Sequence, residues 1–515
     1  MKTSTDVIVV GAGNAALSAA IAAQEQGAQV TVLERAPESE SGGNSRYAAG
    51  AFRFLYNDAQ DIIDLVPDLT SDEIQKTDFG SYSAQRYFDD LYQVTRYRTD
   101  PDLCEVLVSQ SHDTMKWLRS KGVRFTPIWG RSAIKRDGRF IFTGELTLDA
   151  WGGGEGLIAA EKKAALKSGV NILYETGAID LLHDGNRITG VRVQGSQGTQ
   201  EIHAKSVVLA CGGFEANTEW RTRYLGPGWE LAKVRGSRFN NGDGIRMALD
   251  LGAMPTGHWS WCHSVCWDNH APPSGDLSVG DAFQKFSYPY SVMINSTGRR
   301  FVDEGMDMRI KTYSKMGRIV LSQPDQFAWQ IFDSKVVPLL RDEYRIKRVT
   351  KVTAATLEEL ASKLDGVDAQ SFLDEIKLFN AAVDTATPFD PQVKDGRGTK
   401  GLSVPKSNWA QTIDQGPFEA YQVGCGITFT FGGLAISPST SQVLDTAKKP
   451  IEGLYAAGEM VGGLFYFGYP GGSGLMAGSV FGRNAGLHAA QSAITKPSGV
   501  TPFARASAAP QSTGE

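Results

Sequence analysis

Apolar residues fall along this chain in two rhythms. Short unbroken runs at 7–10, 30–33 and 207–210 have the pattern of strands buried on both faces of a parallel sheet. Longer stretches place apolar residues three and four apart. Between 71 and 121 these include Leu91, Val94, Leu103, Val106, Leu107, Met115 and Leu118, a spacing that predicts helix. A glycine-rich turn at 151–154 leads into a predicted helix ending near Gly169, and further β-type runs follow at 170–174 and 188–193.

Beyond Val234 the rhythm changes. A loop at 235–244 enters a predicted helix at 245–251, residues 252–289 read as irregular and aromatic, and 356–383 as strongly helical. The first pattern then resumes with a buried strand before Glu459, a glycine-rich turn at 468–474 and a helix over 475–490. This order predicts an α/β domain built from residues 1–234 and 411–495, with an α+β capping domain over 235–410 inserted into it. Residues 496–515 are rich in Ser, Ala and Pro and are expected to form a disordered tail.

The first apolar run carries chemistry. It leads into Gly11, Gly13 and Ala16, the G-x-G-x-x-A spacing of a strand-to-helix turn, and the second run stops on Glu34. Gly11 permits the sharp turn, and Gly13 lets backbone approach a pyrophosphate. The helix beginning at Asn14 and Ala15 offers free N–H groups to phosphates, and Glu34 is placed to accept from ribose hydroxyls. A Rossmann-like dinucleotide site follows, without a choice between NAD and FAD. Arg35, Gly42, Gly43, Asn44 and Ser45 continue into a loop whose small residues let a ligand lie on backbone amides. Cys211 and Gly212 end another strand in the same strand-then-glycine form, and the turn at 468–474 supplies a second helix N-terminus.

At 515 residues, with 41% hydrophobic and 21% charged, the composition is that of an ordinary globular chain long enough for two domains. A net charge of −5 gives no reason to expect nucleic acid or an anionic membrane surface as partner. Five cysteines make an odd, sparse set, against a disulfide scaffold and in favour of a reducing, cytoplasmic compartment. No apolar run is long enough for a membrane span, and the first strand starts too near Met1 to leave room for a cleaved signal. No second dinucleotide fingerprint occurs, so NAD is not expected as electron acceptor; a membrane redox partner such as a quinone carrier and dioxygen both stay open.

Four landmarks stand in order: the N-terminal fingerprint, Gly42 to Ser45, the strand end at 210–213, and Glu459 with the glycine-rich helix start after it. This resembles the flavoprotein family of succinate dehydrogenase and fumarate reductase, which includes ketosteroid dehydrogenases, and within it the tricarballylate dehydrogenase type. The resemblance covers about residues 5–490. It implies FAD, with Gly11, Gly13 and Glu34 at the adenosine half and Arg35, Gly43, Asn44 and Ser45 along the diphosphate and flavin. Glu459 is implied at the ribityl region, and Ser473, Gly474 and Leu475 at the flavin pyrimidine edge. Succinate dehydrogenases attach FAD through a histidine of the second loop; none occurs before residue 111, so a non-covalent cofactor is implied.

The resemblance also implies a C=C bond made or reduced beside a carboxylate or ketone of a small-molecule substrate, tricarballylate-like first and ketosteroid-like as the alternative. Arg309 matches the proton-carrying arginine of that family across a one-residue insertion; a carboxylate-binding arginine that never titrates is the other reading. His263 matches a carboxylate-holding histidine or is a structural one. Tyr469 stands where fumarate and succinate enzymes carry a carboxylate-clamping arginine and ketosteroid enzymes a tyrosine. Phe429 replaces a second carboxylate-binding histidine. His258, Cys262, His263, Cys266 and His270 lie close in sequence but lack a clean second ligand pair, so no metal is expected. Arg235, Arg238, Arg299 and Arg300 could line a polyanion pocket; ordinary surface or structural charges are the favoured reading.

Overall fold

Val7, Ile8 and Val9 of the first strand, β1 (Ser4–Val10), are wholly buried. A run without polar alternation is stable only where both faces are covered, and two helices cover this one. The computed structural model describes residues 4–130 and 132–494; the tail expected at 496–515 lies outside them. After β1 come α1 (Asn14–Glu25) and β2 (Val30–Leu33), which pairs parallel with β1. A long excursion holds α2 (Gly43–Tyr47) and α3 (Gly153–Lys167). The helical stretch expected over 71–121 resolves into three helices, Ser71–Gln75, Ala84–Val94 and Pro101–Ser120.

The chain then adds β3 (Asn171–Leu173) beside β2, followed by β4 (Gly177–His183), β5 (Ile188–Gly195) and β6 (Gly198–Leu209), which returns parallel to β1. β4 was not expected from the sequence. Asp180 and His183 interrupt its apolar pattern, and antiparallel pairing with β5 makes it a strand.

The inserted part forms a second, six-stranded sheet from β7 (Lys233–Val234), β8 (Pro255–Asp268), β9 (Val292–Asn295), β10 (Ala328–Phe332), β11 (Lys351–Ala354) and β12 (Phe418–Leu434). α4 (Arg309–Leu321) packs on β8 and β12, and α5 (Ala369–Ala382) on the outer cluster around Phe372, Ile376 and Phe379. The structure differs from expectation in two places here. Part of the stretch read as irregular is β8; a register shift between His258 and Cys262 breaks the period of two that would have announced it. The expected boundary at 410 falls before β12, yet β12 pairs with β7, β8, β10 and β11 and is the centre of the second sheet.

The chain returns through β13 (Gln442–Leu444) and β14 (Pro450–Ala456), the latter parallel to β6, and ends in α6 (Ser473–Ile494). α6 lies almost against the backbone of α1. A Cβ on Gly482 would stand 2.4 Å from the Ala15 carbonyl oxygen, and one on Gly486 2.0 Å from that of Ala19. Glycines four apart on one helix and alanines on the other make that approach possible.

Candidate functional site

Asn14, buried at the start of α1, gathers three glycine-rich turns at one point. Its backbone N–H donates to Ser45 Oγ (3.2 Å), its Nδ2 donates to the Leu475 carbonyl (2.8 Å), and its Oδ1 accepts from Ser479 (2.9 Å). Around this point opens a cleft with about 1230 Å³ of empty space, open solvent included. Gly11, Gly13, Asn14, Ala15, Glu34, Arg35, Gly43, Asn44, Ser45, Cys211, Gly212, Glu459, Gly474 and Leu475 all line it. Gly42 and Ser473 do not. Gly42 turns the chain behind the wall at φ +111°, and the wholly buried Ser473 accepts a hydrogen bond from Tyr87 (3.1 Å).

The walls suit an anionic dinucleotide. α1 has no side-chain cap, so N–H groups of its first turn face the cleft, and Gly474 and Leu475 begin α6 at the other end. A Cβ on Gly11 would lie 2.5 Å from the Ala210 carbonyl oxygen, so only glycine lets the two strand ends meet here. Glu34 accepts from the N–H groups of Ala12 (3.0 Å) and Ala36 (2.8 Å), which aims its carboxylate along the turn; burial raises its pKa. Arg35 is held by Asp243 at 2.5 Å. The Cys211 thiol contacts Met460 Sδ at 3.7 Å, and burial pushes it up to about 12, so it is not a nucleophile near neutral pH.

At its inner end the cleft reaches Phe429 and Tyr469. The Tyr469 ring stands 5.5 Å from Phe429, 5.1 Å from Phe465 and 5.0 Å from His263, which is paired with Phe429 across β8 and β12. His263 in turn meets Tyr313 at 5.1 Å, Tyr313 meets Phe286 at 5.2 Å, and the Arg309 guanidinium lies over Phe286 at 5.6 Å. The three residues singled out from sequence therefore belong to one aromatic chain of contacts.

Their polar groups are unspent. Both ring nitrogens of the buried His263 lack a hydrogen-bond partner. Among the described residues the hydroxyls of Tyr469 and Tyr313 and the guanidinium of Arg309 have none either. Burial, then the charge of Arg235, holds His263 well below the usual histidine range, so it is neutral. Burial, then the Arg341 charge, lowers Arg309 to about 10. Burial raises both tyrosines, leaving them proton donors.

Sequence reasoning missed Tyr313, Glu215, Asn240 and Asp243. Tyr313 sits four residues after Arg309 on one face of α4, a spacing that could have pointed to it. Glu215 and Asn240 lie in loops, where no period reports on direction, and Asp243 is the first residue of the helix Asp243–Asp250. Glu215 is wholly buried, and its Oε1 accepts from the side-chain amides of Asn44 (2.5 Å) and Asn240 (2.6 Å). Glu459 accepts from the Thr430 N–H (2.7 Å) and hydroxyl (3.0 Å), and its carboxyl lies near enough to that of Glu215 for each to act on the other's charge.

The four arginines weighed as a polyanion pocket each meet an acid: Arg235 with Asp281, Arg238 with Glu40, Arg299 with Glu375 and Arg300 with Glu304. Among the described residues no three potential metal ligands converge, and no helix is long and apolar enough to cross a membrane.

A family model described as FAD binding domain matches residues 6–475. The chain is similar to a probable fumarate reductase, Ifc3, of Shewanella frigidimarina (strain NCIMB 400), at 31% identity over 96% of this chain and 76% of that protein. Among solved structures it is similar to the open conformation of a flavocytochrome c3 fumarate reductase (28% identity, 96% of this chain and 79% of that one, TM-score 0.73). It shares its fold with 3-ketosteroid delta1-dehydrogenase from Sterolibacterium denitrificans (22% identity, 95% and 100%, TM-score 0.72).

Proposed function

The chain belongs to the FAD binding domain family, and from that premise we propose that it makes or reduces a C=C bond conjugated to a carboxylate or ketone. It is an FAD-dependent oxidoreductase. Gly13, Asn14 and Ala15 would hold the diphosphate, Glu34 the adenosine ribose, and Gly474 and Leu475 the flavin end. A cofactor held without a covalent link is the reading favoured by a cleft lining that has no histidine among the described residues and by a Cys211 thiol that burial keeps protonated.

FAD, when bound, exchanges a hydride with the substrate. The chain supplies the rest. Arg309 holds a proton on its guanidinium, gives it to the α-carbon when the bond is reduced, and takes it when the bond is formed. Tyr469 and Tyr313 donate O–H bonds to the carbonyl or carboxylate oxygen that gains charge, and neutral His263 adds one N–H. Phe429, Phe465 and Phe286 keep water away, which strengthens these contacts.

The observation that carries this reading is a run of four buried polar groups without partners among the described residues, leading from Tyr469 in the cleft wall through His263 and Tyr313 to Arg309. Such groups are costly to bury and are met when a substrate arrives. Of Arg53, Arg235, Arg309 and Arg341, only Arg309 lacks an acid partner, which favours a substrate with one carboxylate beside the bond. Tricarballylate, implied by the family resemblance, is the second reading. It needs Arg235 or Arg53 to leave Asp281 or Asp90. A ketone, taken by the Tyr469 hydroxyl alone, is the third. The electron partner is proposed to be a separate carrier or dioxygen.

A substrate panel with an artificial electron donor and acceptor tests this: an aryl or alkyl enoate, aconitate with tricarballylate, and a ketosteroid. Turnover of the monocarboxylate enoate alone is expected. Turnover confined to the tricarboxylate or the steroid replaces the reading, and flavin that responds to none of them removes it.

A further inference from the structure

We propose that Glu215 and Glu459 share one proton at the wall of the cleft, and that tight FAD binding requires this proton. The inference concerns the cofactor only and stands whatever the substrate is.

The hydrogen-bond pattern leads there. Glu215 Oε1 is filled by two amide donors, from Asn44 and Asn240, while the buried Oε2 has no hydrogen-bond partner among the described residues. Glu459 is filled on one side by the N–H and hydroxyl of Thr430. What remains is carboxyl against carboxyl. Two carboxylates in contact cannot both ionise cheaply, and a single O–H satisfies both.

The surroundings say where the proton resides. Two amide donors favour the ionised form at Glu215, and so does the buried Arg221 guanidinium, in electrostatic contact with it from the turn Arg221–Leu225. Arg221 donates to the carbonyls of Ala232 and Glu230 and forms no ion pair among the described residues. Glu459 forms no ion pair among the described residues, and the Tyr469 hydroxyl feels its charge. The partners from α2, β12 and the 240 loop are uncharged amides and one hydroxyl. Burial raises both carboxyls, so the pair keeps a proton at neutral pH. The contact is rigid. A Cβ at Gly213 would come within 2.2 Å of Glu459 Oε1, so the chain leaves room for this carboxyl by omitting a side chain.

Glu459 and Asn44 both line the cleft. With one proton the pair presents a single negative charge, held back at Glu215, and a neutral acid at the cleft surface. Losing that proton to solvent would set a second negative charge against a site built for a diphosphate-bearing cofactor.

The test is FAD affinity against pH, followed by flavin fluorescence on apoprotein whose fold is checked by circular dichroism at each pH. In the wild type the Kd stays level through the neutral range and rises by up to about tenfold per pH unit in the alkaline range. Glu459→Gln replaces the O–H toward Glu215 by an N–H that cannot be lost. It is expected to abolish the alkaline rise, leaving a Kd that no longer changes with pH in that range. Glu215→Gln, which removes the other charge, does the same and serves where Glu459→Gln does not fold. A wild-type Kd that is flat to the pH of unfolding overturns the proposal. So does an alkaline rise that survives either variant.

Discussion

The ring of Tyr469 lies on the ring of His263, with centroids 5.0 Å apart and planes 26° apart. One belongs to the turn before α6 and the other to the second sheet, so the stack joins the cofactor cleft to the inserted part. Tyr469→Phe keeps this packing and removes the hydroxyl. If that hydroxyl stabilises charge on the substrate oxygen, the loss is about 3 kcal/mol of barrier, roughly 10²-fold in kcat. Steady-state rates at saturating substrate decide it; an unchanged kcat makes Tyr469 a packing residue.

His263→Ala removes the opposite half of the stack and a donor with no partner in the protein. The histidine is neutral, so it contributes one N–H bond, worth about 1.5 kcal/mol. KM for the substrate should rise about tenfold with FAD still bound. A change in kcat alone, at unchanged KM, would move His263 from binding to the reaction itself.

Arg309 carries a pH signature. Its guanidinium is lowered to about 10, so it is charged below that value and neutral above it. Reduction of the C=C bond needs the charged form. Its rate should hold through the neutral range and fall as pH rises past about 10. Arg309→Ala should cost roughly 10²–10⁴-fold in turnover while flavin absorbance shows FAD retained. Turnover near the wild-type level in that variant would take Arg309 out of the mechanism.

Glu34 ties the first turn by accepting from Ala12 and Ala36. Glu34→Ala leaves both N–H groups without an acceptor, at about 1–3 kcal/mol for each that stays buried. FAD affinity should drop by at least tenfold, and the apoprotein should melt at lower temperature. Full FAD affinity in this variant would relieve Glu34 of its role at the ribose.

Glu161 on α3 is wholly buried and accepts from Ser18 of α1 at 3.1 Å, with no ion pair among the described residues. Burial raises its pKa well above the carboxylate range. The folded form keeps the proton that the unfolded form gives up, so this residue weakens the fold as pH rises through the ordinary carboxylate range. Glu161→Gln has the same shape and no proton to lose. Its melting temperature should exceed the wild type by a few degrees in mildly alkaline buffer and match it in acid. A variant that melts lower at both pH values would show the carboxyl itself to be needed.

The local features were readable in the chain itself. Unbroken apolar runs such as 7–10 have one stable environment, and Gly11, Gly13 and Ala16 have few uses together other than a nucleotide turn. Those constraints act between neighbours, so a linear pattern reports them. The 14-residue strand β8 escaped because its bulge breaks the period, and β12 because its place depends on partners far along the chain. Hydrogen bonding of Asn14 to Leu475, 461 positions away, and the meeting of Glu215 with Glu459 follow only once both sheets have formed. Sequence alone determined that the chain holds a dinucleotide and named Arg309, His263 and Tyr469. The tertiary structure decided that these three share one aromatic wall, and which polar groups there are left without partners. Burial and pairing are sums over distant contacts, and no local pattern contains them.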